Sequence, residues 1–290
     1  MQALRAALIL FFFVAATLVG IPWQASALRF RLARRKTFPQ RYHRWLCRWF
    51  GIRITVIGKP IQDRGVLMAA NHTSYFDILV LSGAARLSFV AKKEVASWLF
   101  FGTLARLQET VFIERDKRTK TVEARDEICE RLALGDALVL FPEGTSNDGN
   151  RVLPFRSALL AAAESQIGTE PDGQPTYVLV QPVSITYVGL QGIPMGRENR
   201  PFFAWYGDME LVPHLWEAVK AGPFDAVVEF HPPLTVDQVG GRKALAAQAE
   251  AIVRAGQARA LAGAYWDTPR ASLSRGQRGR ERLRNAAASA

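Results

Sequence analysis

From residue 54 onward, short apolar runs rich in β-branched residues alternate with longer helical stretches. This alternation narrows the fold more than any other feature of the chain. The runs "ITVIG" (54–58), "GVLMAA" (65–70), "LSFVA" (87–91), "TVFIE" (110–114) and "ALVLFP" (137–142) read as strands. Residues 75–86, 94–107 and 119–134 read as helices between them, and Gly135 and Asp136 stop the last one. Parallel strands need long crossover connections, and helices of this length supply them. The pattern predicts an α/β fold with a mixed, mainly parallel central sheet flanked by helices. Further strands are expected at 177–187, 202–206 and 225–231, and a helix at 242–256.

The ends of the chain differ from this body. Residues 6–28 carry no charge for 23 positions, long enough to cross a hydrocarbon core as a helix. Pro22 and Trp23 suggest a kink or interfacial turn near its end. A cleaved signal peptide is the alternative, with Arg5 as its basic start and "ASA" at 25–27 as a cleavage site. The block "RFRLARRK" that follows favours an uncleaved anchor, because dense positive charge stays on the cytoplasmic side. Residues 38–53, "FPQRYHRWLCRWFGIR", read as an amphipathic interfacial helix with Trp45, Trp49 and Phe50 at the lipid surface.

The net charge of +11 is also concentrated at the ends. Nine Lys/Arg and no acid fall in 28–54, and six Arg against Glu281 in 270–290, so the remainder is slightly acidic. Such a distribution suits anionic lipid head groups, and no nucleic-acid partner is expected. The organisation expected is an anchor and basic interfacial segment (1–53), one α/β domain (54–267) and a disordered Arg-rich tail (268–290). Cys47 and Cys129 match no metal spacing and read as free thiols. No metal site is expected.

The chemistry gathers where strands end. In α/β sheets ligands bind at the carboxyl ends of strands. "GVLMAA" delivers Asn71 and His72 to such an end, followed by Thr73, Ser74 and Asp77. Five residues along a regular helix turn by roughly 140°, so His72 and Asp77 approach only across a turn. Ser74 is suited to cap the helix. Asp77 in the first turn can then accept the imidazole N–H and leave the other ring nitrogen free as a base. The plainer reading is a Ser74–Asp77 capping box with a polar loop histidine before it. The strand "ALVLFP" exposes Glu143, Gly144, Thr145 and Ser146, and Gly144 permits close backbone approach by a ligand. "VFIERDKR" (111–118) places Arg115 at a third strand end, suited to bidentate phosphate recognition or to a surface ion pair. No Gly-x-Ser-x-Gly elbow occurs, which removes the serine hydrolases of the α/β class.

Taken together, these stretches resemble the glycerolipid acyltransferases, the family that includes 1-acylglycerol-3-phosphate acyltransferase. "NHTSYFD" matches its Asn-His-x-x-x-x-Asp block and "VFIERD" its Phe-Ile-x-Arg block. "FPEGTS" matches Phe-Pro-Glu-Gly-Thr-Ser, and "VLVQPVSI" (178–185) resembles the block with a strand-borne proline. The likeness covers roughly 50–260. It implies that His72 takes a proton from an acceptor hydroxyl and Asp77 orients it. It implies attack on a fatty acyl thioester of coenzyme A or acyl carrier protein as co-substrate, with no cofactor. Asn71, Arg115, Glu143, Gly144, Thr145 and Arg156 take the substrate-binding places, Arg115 on a phosphate. The chain departs from the pattern at Glu109, where the family has Gly, and at Gln181, where an apolar residue is common. The extended "FPEGTSNDGNRVLPFRSAL" also resembles the branch that acylates lyso-ornithine lipid.

Two acceptors therefore stand open. Glu109 and Arg115 fall on one face of the strand but roughly 20 Å apart, which makes a shared head-group pocket doubtful. On that ground lysophosphatidic acid, giving phosphatidic acid, ranks before lyso-ornithine lipid. A silent membrane-bound lipid-binding module is the remoter reading. The expected location is a bacterial-type inner membrane, with the catalytic domain on the cytoplasmic side.

Overall fold

The computed structural model describes residues 1–114, 118–169 and 175–265. Two helices come first, α1 (Gln2–Arg29) and α2 (Arg34–Phe50). Then follow β1 (Arg53–Ile57), β2 (Val66–Ala70), α3 (Phe76–Ala84), β3 (Ser88–Lys92), α4 (Phe101–Leu107), β4 (Val111–Ile113), α5 (Arg118–Ala133) and β5 (Ala137–Leu140). The second half holds β6 (Gln166–Thr169), β7 (Pro175–Tyr177), β8 (Val180–Leu190), β9 (Ile193–Pro194), α6 (Leu211–Ala221), β10 (Phe224–Phe230), α7 (Val236–Val239) and α8 (Arg242–Leu261).

The main sheet runs β1-β10-β8-β2-β5-β3-β4, and β9 pairs with the end of β8. Pairings β2–β5, β2–β8, β3–β5, β3–β4 and β1–β10 are parallel, whereas β10–β8 and β8–β9 are antiparallel. The sheet is thus mixed and mainly parallel, as the alternation predicts. Central β2 is buried along its whole length, as a strand covered on both faces must be. Its side chains alternate between two cores. Val66, Met68 and Ala70 face Phe76 and Val80 of α3, and Leu67 and Ala69 share the other core with Ile128 and Leu132 of α5 and Val253 of α8.

Several expectations change. Residues 202–206 form no strand: Pro201 lacks an N–H, Arg200–Phe202 makes a 3₁₀ turn, and the Trp205 N–H goes to the Thr73 carbonyl. The helix expected at 94–107 is broken into a 3₁₀ turn (Lys93–Ser97) and α4, because the chain folds back with Gly102 against the Ala96 carbonyl. Helix α6 was not expected. Its Pro213 sits in the first turn, where helical N–H groups have no intrahelical partner to lose. Ser74 does not cap α3 with its side chain.

Helix α1 continues through Pro22 and lies against the domain along its length. Arg5 donates to the Val219 carbonyl of α6, and the Phe13 ring meets Phe50 and Phe100. Thr17 bonds Tyr42, and Gln24 donates to the carbonyls of Arg35 and Leu107. Ala6, Thr17, Gln24 and Ala27 form its buried seam, while Leu4, Leu8, Phe11, Phe12, Leu18, Val19 and Trp23 face outward. It is long and apolar enough to cross a membrane by length and composition. Helix α2 packs on α3 with Leu46 and Cys47 buried, and its Tyr42, Trp45 and Trp49 rings stack in a row. The tail expected at 268–290 lies outside the described residues.

Candidate active site

His72 leaves the carboxyl end of β2 and Asp77 enters the first turn of α3. The intervening turn brings His72 Nδ1 to 2.8 Å from Asp77 Oδ2. The same oxygen accepts the N–H groups of Thr73 at 2.7 Å and Ser74 at 3.0 Å. Tyr187, from β8, donates its hydroxyl to Oδ1 at 2.6 Å. Asp77 is fully buried, and the two backbone N–H groups aimed at Oδ2 make that oxygen an acceptor. Nδ1 of His72 therefore carries the proton toward Asp77, and Nε2 keeps its lone pair. The imidazole stacks on Phe141 with ring centroids 4.0 Å apart, which fixes its plane.

A second layer holds the loop. Asn71 bonds Ile185 twice, donating from Nδ2 to its carbonyl and accepting its N–H at Oδ1, both at 2.8 Å. Glu143, at the end of β5, is buried and accepts the His72 N–H at 3.2 Å and Asn147 Nδ2 at 2.7 Å. Asn147 also gives its backbone N–H to the His72 carbonyl. Burial pushes the Glu143 carboxyl up to about 8, with the Asp77 charge adding to the rise and the N–H donors opposing it. Glu143 thus sits behind the histidine and fixes its backbone. Gln181, the departure in the fourth block, ties the sheet to the loop before β2: Nε2 donates to the carbonyls of Lys59 and His231, and Oε1 accepts the Ile61 N–H.

His72 borders a cavity of about 730 Å³ at the carboxyl edge of the sheet. Its walls are mainly apolar, with Leu79, Phe89, Trp98, Phe101, Leu104 and Trp205 among them, and Phe13 of α1 reaches it. Gly144, in left-handed conformation, and Thr145 and Ser146 line it beside the histidine, as does Lys92 at the end of β3. Tyr75 also lines it and shares a 2.8 Å hydrogen bond with His214 of α6.

The structure thus brings His72, Asp77, Asn71, Glu143, Gly144 and Thr145 together. Arg156 gives its backbone N–H to the Pro142 carbonyl, but its side chain is exposed and does not line the cavity. Arg115 lies outside the described residues. Glu109 lies at the amino end of β4, in left-handed conformation, 3.8 Å from Arg35. Sequence reasoning missed Tyr187 and Asn147. Asn147 lies inside the quoted "FPEGTSND" run, whereas nothing local to Tyr187 marks it.

Comparison with known proteins gives the chain a family. A family profile described as Acyltransferase matches residues 53–186. A lyso-ornithine lipid O-acyltransferase of Brucella abortus (strain 2308) is 46% identical over 83% of this chain and 90% of its own length. A 1-acyl-sn-glycerol-3-phosphate acyltransferase of Neisseria gonorrhoeae is 31% identical over 69% of this chain and 72% of its own. The crystal structure of the 1-acyl-sn-glycerophosphate acyltransferase of Thermotoga maritima shares the fold, with a TM-score of 0.61 at 24% identity, over 90% of this chain and 98% of that one. An imidazole held by a buried carboxylate beside an apolar cavity is the setting on this sheet, and the 46% identity over 90% of a relative's length leads to one conclusion: the chain belongs to the acyltransferase family.

Proposed function

We propose that this acyltransferase moves a fatty acyl group from a thioester of coenzyme A or acyl carrier protein to the free hydroxyl of a lyso-ornithine lipid. The observation that carries acyl transfer is the His72–Asp77 pair, with Nε2 free at an apolar cavity. Nε2 takes the acceptor's hydroxyl proton as its oxygen attacks the thioester carbonyl. Asp77 stabilises the imidazolium so formed. The tetrahedral adduct collapses to the ester, the C–S bond breaks, and the proton passes to the departing thiolate. No acyl group is held by the enzyme.

Between the two acceptors left open by the sequence, the 46% identity to a lyso-ornithine lipid enzyme, against 31% to a lysophosphatidic acid enzyme, favours the former. Glu109 lends it no support, since its carboxylate is paired at the far edge of the sheet. Lysophosphatidic acid stays as the second reading because Arg115 comes two residues after β4 in the sequence and Lys92 lines the cavity. Thiol release by the purified chain, with both acceptors side by side, is the test. Higher kcat/KM with lyso-ornithine lipid is expected. Preference for lysophosphatidic acid would reverse the ranking, and no release with either would remove the catalytic reading.

The enzyme works at a membrane, with α1 lying in one leaflet rather than crossing it. A helix of 28 residues is about 42 Å long. Its contacts at Arg5, Phe13, Thr17 and Gln24 keep the polar domain beside it nearly end to end. Crossing would drag that domain into hydrocarbon. The nine basic residues of 28–54 favour the cytoplasmic face of an inner membrane.

A further inference from the structure

Helix α8 lends no side chain to the catalytic cavity. The seam it buries is built of leucine, alanine, valine and glycine, with one exception, Gln257. An amide in such a seam costs free energy unless its hydrogen bonds are made. Gln257 is 4% exposed, and its Nε2 donates to the carbonyl of Gly149 at 3.3 Å. Glu250 stands two turns earlier on the same side of the helix and accepts the Phe155 N–H at 3.0 Å. Helix α8 thus holds both ends of the stretch 149–155, which follows Glu143 along the chain. That stretch leads back to His72. Gly149 is buried, takes a left-handed conformation at φ +74°, and gives its N–H to Asn147 Oδ1 at 2.8 Å. Asn147 Nδ2 donates to Glu143 at 2.7 Å and lies 3.3 Å from the His72 carbonyl, which also accepts the Asn147 backbone N–H at 3.2 Å. The Asn147 amide is therefore fixed at both of its ends. Gly149 also lies close against the His72–Asp77 turn: a Cβ built there would stand 3.0 Å from Thr73 Cγ2.

We propose that Gln257 is a positioning residue for acyl transfer, which holds Gly149 so that Asn147 keeps the His72 backbone in register with Asp77. This rests on the reading that His72 is the base. Removing the Gln257 donor leaves a buried carbonyl unpaired, and a segment with such a group shifts until the group finds another partner. Gly149 can make that shift, because without a Cβ its backbone conformation is loosely held. The displacement reaches His72 through the carbonyl that Asn147 holds. Asp77 does not follow, since Thr73, Ser74 and Tyr187 hold it independently. The imidazole then moves relative to its carboxylate, and proton transfer is sensitive to misplacement of well under an ångström to an ångström. The apolar walls of the cavity come from other elements, Phe13 of α1, Leu46 of α2, Leu79 of α3 and Leu104 of α4 among them. Substrate binding is therefore spared, and the effect falls on turnover.

The test uses the full chain and the variant Gln257→Met, which keeps the length of the side chain and removes the donor. Melting temperature is measured first. If the methionine variant does not fold, Gln257→Asn takes its place, because it keeps an amide but withdraws it from Gly149. Thiol release is then followed with lyso-ornithine lipid and lysophosphatidic acid as acceptors, in the unsubstituted chain and in an Asn147→Ala background. In the unsubstituted chain the substitution should lower kcat about tenfold and leave KM within about twofold. In the Asn147→Ala background it should cost less than about twofold, because the link it acts through is already gone. An unchanged kcat overturns the proposal. An equal loss in both backgrounds also overturns it, and makes Gln257 a residue of the fold at large. A raised KM with kcat kept overturns it as well, and assigns the residue to substrate binding. No thiol release by the unsubstituted chain removes the reading of His72 as base, and this proposal with it. Turnover that is lost in His72→Ala but untouched in Gln257→Met removes the proposal alone.

Discussion

The two edges of the sheet gather polar residues in opposite ways. At the amino edge a cleft of about 180 Å³ holds Arg35, Lys36, Arg86, Arg131, Glu109 and Asp136. Its charges are partly exposed and most answer one another: Lys36 and Arg131 share Asp136, and Arg35 faces Glu109. At the carboxyl edge there are few charges. His72, Asp77 and Glu143 are buried or nearly so, tied by hydrogen bonds at fixed distances, and gathered beside an apolar cavity. Ion pairs in water contribute little and are easily replaced. A base whose ring, tautomer and backbone are all constrained is preorganised for proton transfer. On the function proposed above, charge density is a poorer guide to the reactive edge than the number of constraints on one side chain.

That contrast can be broken by mutation, with the largest effect at the base itself. His72→Ala should lower turnover by about 10²–10⁴-fold, and Asp77→Asn by roughly 10²-fold or more through the wrong tautomer, with the fold kept by circular dichroism. Near-normal turnover in His72→Ala would end the catalytic assignment. Tyr187→Phe comes next. Loss of its hydroxyl leaves Asp77 Oδ1 buried without a donor and should cut kcat about tenfold, with little change in KM. An unchanged kcat would make Tyr187 a packing residue only.

Glu143 offers a thermodynamic test on the same edge. Its folded pKa of about 8 lies above the usual carboxyl value of 4.5, so the folded state binds the extra proton. Its contribution is fully present below the unfolded value and is lost as pH rises through 4.5 toward 8. Melting temperatures of the wild type should therefore fall over that window relative to Glu143→Gln. Parallel curves would mean the carboxyl is ionised in the fold. The smallest effect belongs to the amino edge. Lys36→Ala should leave kcat within about twofold and stability within roughly 1 kcal/mol, since the pair is half-exposed. A large loss of activity there would erase the distinction between the edges.

The sequence made the parallel sheet and the His72–Asp77 pair legible because both leave local marks. Strand–helix alternation shows as periodicity, and the pair falls within six consecutive residues. Tyr187 left no mark. It lies 110 residues from Asp77, and alternation along β8 says which face a residue takes but not what it meets there. Glu143 was legible as a residue, yet its direction was not. A carboxylate at a strand end reads the same whether it faces a ligand or the backbone of His72. Helix α6 was hidden by Pro213, a breaker in the interior of a helix but harmless in its first turn. The strand assigned to 202–206 failed because an apolar run around Pro201 can be spent on a loop that closes over Thr73.

The double bond from Asn71 to Ile185 has a consequence in time. Together with Tyr187 it makes the setting of His72 depend on β8, which lies more than 100 residues downstream. During synthesis α1, α2 and the strands β1 to β5 emerge before β8 does. Over that interval the histidine has its neighbouring Asp77 but neither the amide hook at its start nor the phenol behind its partner. The setting of His72 therefore waits for the late docking of a single strand, after Asp77, Glu143 and Asn147 have been made.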